Sequence, residues 1–229
     1  MSGRRTYNWD GRDYPSVTSI LGTVVAKPGL ISWAAKVSAA AAVDEYDASG
    51  GNVARSLAKG AAAPNAGRDA GGARGTDVHR VLHHLGLGMP LPSVSPAAEP
   101  YVQSLCSWWQ GADAQPELAE ATVVSKAHGY AGTLDAIWRM GDGRMLLVDA
   151  KTSTYRSAEE GMQLAAYRYA DVVAMPDGSE VPLPDCDGAA ILAVSPDGCE
   201  LIDVDADEEA WIAFRAAVIL ATWLWAAGR

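Results

Sequence analysis

Apolar and polar positions alternate between two periods along the chain, and the change of period marks its organisation. "GARGTDVHRVLHHLGLG" places Val78, Val81, Leu82 and Leu85 at i, i+3, i+4 and i+7 and then meets glycine, which predicts an amphipathic helix. Before it, "YPSVTSILG" predicts a turn followed by a short helix, and "KPGLISWAAKVSAAAAVDEYDA" a helix opened by Pro28. "MPLPSVSP" predicts a loop and "AAEPYVQSLCSWWQGA" a further helix. The period then drops to two. "AEATVVSKA", "GTLDAIWRM" and "RMLLVDAKT" follow one another across "HGY" and "GDG", which predicts an antiparallel meander. "SAEEGMQLAAYRYADVVAM" predicts a helix, "GAAILAVS" and "CELIDVD" two strands around "PDG", and "DEEAWIAFRAAVILATWLWAAG" a closing helix.

The meander holds an anomaly. Asp135, Asp149 and Lys151 stand among its most apolar residues, and an unpaired buried charge costs several kcal/mol. Alternate strand residues share a face, so Leu147, Asp149 and Lys151 point one way and Leu146, Val148 and Ala150 the other. A hairpin centred on "GDG" brings the strand of Asp135 alongside. Two carboxylates in one place repel unless a cation lies between them, and hard oxygen ligands suit Mg²⁺ or Mn²⁺. Such an ion polarises a phosphoryl oxygen and lowers the pKa of a bound water, while the Lys151 ammonium orients that water or stabilises developing charge.

Composition narrows the classes. With 229 residues and 49% hydrophobic content, the chain is expected to form one domain, a helical elaboration over 1–70 and a core over 71–229. Cys106, Cys186 and Cys199 are too few and too scattered for a disulfide framework or an iron-sulfur cluster, and a cytoplasmic location is expected. The N-terminus lacks the apolar run of a signal peptide. The stretch "AAVILATWLWAA", 216–227, is shorter than the roughly 20 residues of a membrane span and is read as a buried helix.

The net charge of −10 argues against indiscriminate nucleic-acid binding, but its distribution is uneven. Residues 1–88 hold ten Lys/Arg against seven Asp/Glu, a net of +3; residues 89–229 hold eight against twenty-one, a net of −13. Residues 177–209 carry eleven acidic side chains and no basic one. Any phosphate backbone is therefore expected on the N-terminal helices, where Arg74, Lys27 and Lys36 supply charge and Trp33 offers a ring for an unpaired base, unless Trp33 is simply core.

The ordered set Gly132 to Asp135, Asp149-Ala150-Lys151, and Gln163 with Tyr167 resembles the PD-(D/E)XK nucleases, specifically their RecB-like branch. "RGTDVH", ending in His79, is similar to the element that supplies a histidine metal ligand there. The opening "YPSVTSILG...KPGLISWAA" resembles phage-encoded exonucleases akin to the mitochondrial genome maintenance exonuclease. The resemblance implies an α/β fold with a mixed central sheet flanked by helices, and hydrolysis of DNA phosphodiesters at single strands or ends in phage-type recombination or repair. It implies that Asp135, Asp149, His79 and the Ala150 carbonyl hold Mg²⁺ or Mn²⁺, that Lys151 acts on water or phosphate, and that Gln163 and Tyr167 position substrate. A homo-oligomer or a recombination partner protein is compatible with it.

Plainer roles stand beside these. Asp149 and Lys151 make sense as a surface ion pair worth about 0–1 kcal/mol, Asp135 as a turn cap, His79 as a boundary histidine, and Gln163 with Tyr167, at i and i+4, as ordinary packing. Glu120 sits near the site or faces solvent. His79 and His83 also have the i, i+4 spacing of a zinc pair, but position 80 is Arg where HExxH needs Glu. A third class is a nuclease fold used only as a binding or assembly module.

Overall fold

The computed structural model describes residues 4–153 and 157–228. It divides into two compact units, Met1–Val25 with Asp77–Arg229, and Ala26–Thr76.

The first unit opens with a hairpin, β1 (Thr6–Trp9) and β2 (Arg12–Pro15), around Asp10-Gly11, both at positive φ as a two-residue primed turn requires. Ser16 then caps α1 (Val17–Val24), its side chain accepting from the Ser19 amide at 3.0 Å. The second unit holds α2 (Pro28–Ala48), begun by proline as expected, and the first part of α3 (Val53–Gly86). That helix starts well before the amphipathic stretch. Glycine-rich sequence around Pro64 hides its beginning, and there α2 and α3 meet through small residues. A Cβ on Gly60 would stand 2.8 Å from the Ser38 carbonyl oxygen and 3.0 Å from Ala42 Cβ, and the Ser56 hydroxyl donates to the Ala42 carbonyl.

From Asp77 onward the chain returns to the first unit. There α3 presents Val78, Val81 and Leu82 to the core, and α4 (Glu99–Gly111) follows. The strands β3 (Ala114–Ser125), β4 (Tyr130–Met140) and β5 (Met145–Lys151) form the expected antiparallel meander. The helix α5 (Ala158–Arg168) is shorter than its sequence suggested: Val172–Ala174 leaves it as β6 and pairs with β3. Its β-branched Val172 and Val173 suit a strand, and Val173 is buried there. A short β7 (Glu180–Pro182), β8 (Gly188–Ser195), β9 (Gly198–Val204) and α6 (Glu208–Ala226) complete the chain. The sheet order is β7-β6-β3-β4-β5-β8-β9, with β5 and β8 parallel and the other neighbours antiparallel. This is a mixed seven-stranded sheet flanked by helices.

Two large cores lie on the sheet, beside a smaller cluster in which Tyr14 of the hairpin packs with Val124 and Ala131. One gathers Val17, Ile20 and Leu21 of α1, Leu164 and Tyr167 of α5, and Trp211 and Phe214 of α6 over Leu134, Leu147 and Ile191. The other packs Val78, Val81 and Leu105 over Trp138, Leu146, Val148 and Leu192. On β5 the expected alternation is realised, with Leu147 in the first core and Leu146, Val148 and Ala150 in the second. The closing helix is buried only along one stripe. Trp211, Phe214, Ala217 and Ala221 pack inward, whereas Ile212, Ile219, Leu220 and Trp223 are exposed. By length and composition α6 is apolar enough to cross a membrane, yet its inner stripe packs as a core helix does.

Candidate functional site

A backbone irregularity builds the site. In a regular strand, residues three apart face opposite ways. Leu134 and Ile137 nevertheless enter the same core, as do Leu118 and Ala121, while Ala136 joins the other. The β3–β4 ladder pairs Leu118 with Ile137 and Ala119 with Ala136, then resumes at Ala121 with Leu134. Glu120 and Asp135 are the pair that drops out, and Glu120 has φ of 50° inside the strand. On the other side the β4–β5 ladder ends at Ala136 with Val148. Beyond that point Asp135 Oδ2 accepts the Ala150 amide at 2.7 Å, so a carboxylate stands where a backbone acceptor would be. Counting on from these pairings, Glu120, Asp135 and Asp149 fall in one row across β3, β4 and β5.

Helices supply the rest. His79 Nδ1, from α3, stands 3.1 Å from Asp135 Oδ2. Its helix is held by Asp77, whose Oδ2 accepts from the Ser95 amide at 2.9 Å and the Ser95 hydroxyl at 2.7 Å, and whose Oδ1 takes Arg80 Nη2 at 2.7 Å. The Ser95 hydrogen bonds hold the Asp77 carboxyl below its ordinary range. From α5, Gln163 Nε2 donates to Asp149 Oδ1 at 2.8 Å and to the Tyr167 hydroxyl at 3.3 Å. The Tyr167 ring lies against Gly132, where a Cβ would meet Tyr167 Cε1 at 2.5 Å. The glycine of GxxD is thus required by the tyrosine of QxxxY.

Asp149 is buried, and Lys151 Nζ stands 2.5 Å from its Oδ2. An ammonium that close to a carboxylate oxygen is a charge-assisted contact, and for both groups it opposes the effect of burial. Burial, then the Asp135 charge, push the Asp149 carboxyl up to about 6, with Lys151 and His79 opposing. For Lys151, burial alone would lower the pKa, but the Asp149 charge and contact outweigh it and the ammonium is held. For His79 the same contest, burial against the Asp135 hydrogen bond and charge, leaves the pKa raised. Glu120 is exposed as a residue, yet burial of its carboxyl end and the Asp135 charge raise its pKa.

His79, Glu120 and Asp135 each offer a ligand atom within 4.8 Å of the others. Two carboxylates and one imidazole nitrogen, with the Asp149 carboxylate in the same row, are a donor set that fits a hard to borderline divalent cation such as Mg²⁺ or Mn²⁺. His83 is not in this group; its ring meets that of His84 edge-on at 6.1 Å.

Comparison with known proteins adds little here. No family model matches the chain, and no curated protein matches it. Among solved structures, the crystal structure of SSO0001 is similar over 66% of this chain and 74% of its own, at 15% identity and a TM-score of 0.31, too low to assign a fold.

The first unit thus brings together His79, Asp135, Asp149, Ala150, Lys151, Gln163 and Tyr167. Arg74, Trp33 and Lys36 belong to the second unit. There the Trp33 ring lies over α3, its Cζ2 3.2 Å from where a Cβ on Gly67 would stand, and Trp33 remains 39% exposed. Two groups at the site were missed by sequence reasoning. The Tyr7 hydroxyl meets Thr133 Oγ1 at 3.0 Å, and the Arg5 guanidinium carbon lies 5.0 Å from the Tyr7 ring centroid. The Asp-Gly turn was the available signal for the hairpin that carries Tyr7.

Proposed function

We propose that the chain is a divalent-metal-dependent DNA nuclease of the RecB-like PD-(D/E)XK kind, an exonuclease acting in the cytoplasm on single strands or ends during phage-type recombination, repair or replication. The observation that carries this reading is the fork between β4 and β5, where Asp135 takes the Ala150 amide and Asp149 lies buried beside Lys151. A structural ion pair needs neither the second carboxylate nor the broken ladder.

Asp135, Asp149, His79 and the Ala150 carbonyl would hold Mg²⁺ or Mn²⁺, which supplies Lewis-acid polarisation of the phosphoryl group and a more acidic water. Gln163 fixes the Asp149 carboxylate by donating to Oδ1, and Tyr167 fixes Gln163 in turn. His79 does the same for Asp135. Lys151, held as an ammonium by Asp149, presents positive charge to the attacking water or to the oxygens on which negative charge grows. Mutual anchoring of this kind keeps the groups in place before substrate arrives, which limits reorganisation during reaction. The zinc reading is weaker, because the partners gathered around His79 are carboxylates and not His83.

The test is incubation of purified protein with end-labelled linear and closed circular DNA, with and without Mg²⁺ or Mn²⁺. The wild type degrades the linear substrate only with metal, and Asp149→Ala and Lys151→Ala abolish cleavage while remaining folded. Near wild-type cleavage by either variant overturns the reading. Metal-independent DNA binding without cleavage favours the assembly-module alternative.

A further inference from the structure

Glu120 is an outlier that the nuclease reading leaves unexplained. Positive φ is uncommon outside glycine and strained for a residue with a side chain, and where it persists the surroundings must enforce it. Among the described residues only Asp10 and Glu120 show it without being glycine. Asp10 needs no explanation beyond its two-residue turn. Glu120 lies in the middle of a twelve-residue strand, with paired residues on either side, Ala119 with Ala136 and Ala121 with Leu134. No turn, glycine neighbour or chain reversal demands the conformation. What the left-handed residue does is reset the alternation, so that Leu118 and Ala121 both reach the same core, and bring the Glu120 carboxylate within 4.8 Å of the His79 and Asp135 ligand atoms. Glu120 and Asp135 are opposite each other in the register, so two like charges face each other across the ladder with His79 beside them.

We propose that Glu120 is a metal ligand, completing with His79 and Asp135 a cation site of two carboxylates and one imidazole. It rests on the metal-dependent reading above and adds a residue to it. The repulsion between the Glu120 and Asp135 carboxylates is what a bound cation would relieve. One imidazole among oxygen donors favours Mn²⁺ over the more strictly oxygen-seeking Mg²⁺.

The experiment is Mn²⁺ binding to the full chain, read from the paramagnetic resonance signal of the free ion, for wild type, Glu120→Gln and Glu120→Gly, beside thermal melts of each without metal. Both variants are expected to bind Mn²⁺ at least tenfold more weakly. Glu120→Gly is expected to melt higher than wild type without metal, since glycine takes the left-handed conformation without strain. Variants that bind Mn²⁺ within twofold of wild type overturn the assignment. If they also cleave DNA normally, only the role of Glu120 falls; if the wild type neither binds Mn²⁺ nor cleaves DNA with it, the nuclease reading falls as well.

Discussion

Replacing Gly132 with alanine tests the joint between the GxxD strand and the QxxxY helix without touching any ionisable group. The added Cβ would meet Tyr167 Cε1 at 2.5 Å and Tyr167 Cδ1 and Val17 Cγ2 at 3.3 Å each. The ring has little freedom to withdraw, because Tyr167 is 3% exposed and its hydroxyl takes Gln163. Overpacking of this kind typically costs about 1–3 kcal/mol. For a chain of this size each kcal/mol shifts Tm by roughly 2–4 °C, so Gly132→Ala should melt roughly 2–12 °C below wild type. Urea unfolding gives the free energy directly. Tyr167→Phe keeps the ring and should not rescue Gly132→Ala, whereas Tyr167→Leu clears the Cε1 contact and should recover part of the loss in a double-mutant cycle. Displacing the ring also disturbs Gln163 and through it Asp149, so cleavage should fall by more than the folded fraction does. Stability of Gly132→Ala within about 0.5 kcal/mol of wild type, the range of unremarkable surface changes, would refute the packing argument.

The remaining predictions concern charge. Asp149 has a folded pKa of about 6 above its ordinary 3.8, so its protonation stabilises the native state below pH 3.8 and that stability is lost as pH rises through about 6. Asp149→Asn cannot titrate, and in melts without metal it should gain on wild type between those pH values by on the order of 1–3 kcal/mol; a pH-independent difference contradicts the burial argument. Saturating Mn²⁺, at about 100 times its dissociation constant, should stabilise the wild type by about 2.7 kcal/mol, and Asp135→Asn should lose most of that shift in the same melts. Arg74→Ala and Lys36→Ala should each lower the slope of log affinity against log salt by about one, measured by anisotropy in Ca²⁺, while substitutions at Asp203, Asp205 and Asp207 leave it unchanged. Unchanged slopes in both basic variants mean that DNA enters by another face.

Much of this arrangement is legible in the sequence because it depends on period alone. Strict alternation over Leu146–Lys151 puts Leu146, Val148 and Ala150 on one face and Asp149 with Leu147 and Lys151 on the other, and the i, i+4 spacing of Gln163 and Tyr167 lets one helix face serve Asp149. The parts that were not legible depend on breaks in period. Val172–Ala174 continues an apparent helix by pattern, and only pairing with β3 makes it a strand. The beginning of α3 carries no apolar stripe, because it meets α2 through Gly60 and Ala42 and not through large side chains.

Glu120 is the sharpest case of the same limit. A period-two reading of "AEATVVS" puts it on the face of Thr122 and Val124, opposite Ala119, Ala121 and Val123, which leaves it near the site or facing solvent, and no residue type nearby announces a change of backbone. The change is announced instead by its consequence on the partner strand: Leu134 and Ile137 are both large, both fully buried, and three apart. Two such residues in one core require a break between them, and the residue at the break on β4 is Asp135. The apolar pattern alone does not locate the irregularity, because the sheet is covered on both faces and buried residues three apart suit a regular strand; the shared core does. That the break falls on carboxylates in both strands is what a packing defect would not choose, since a defect has no preference for charge, whereas a cation-binding fork needs its oxygen donors where the ladder is open.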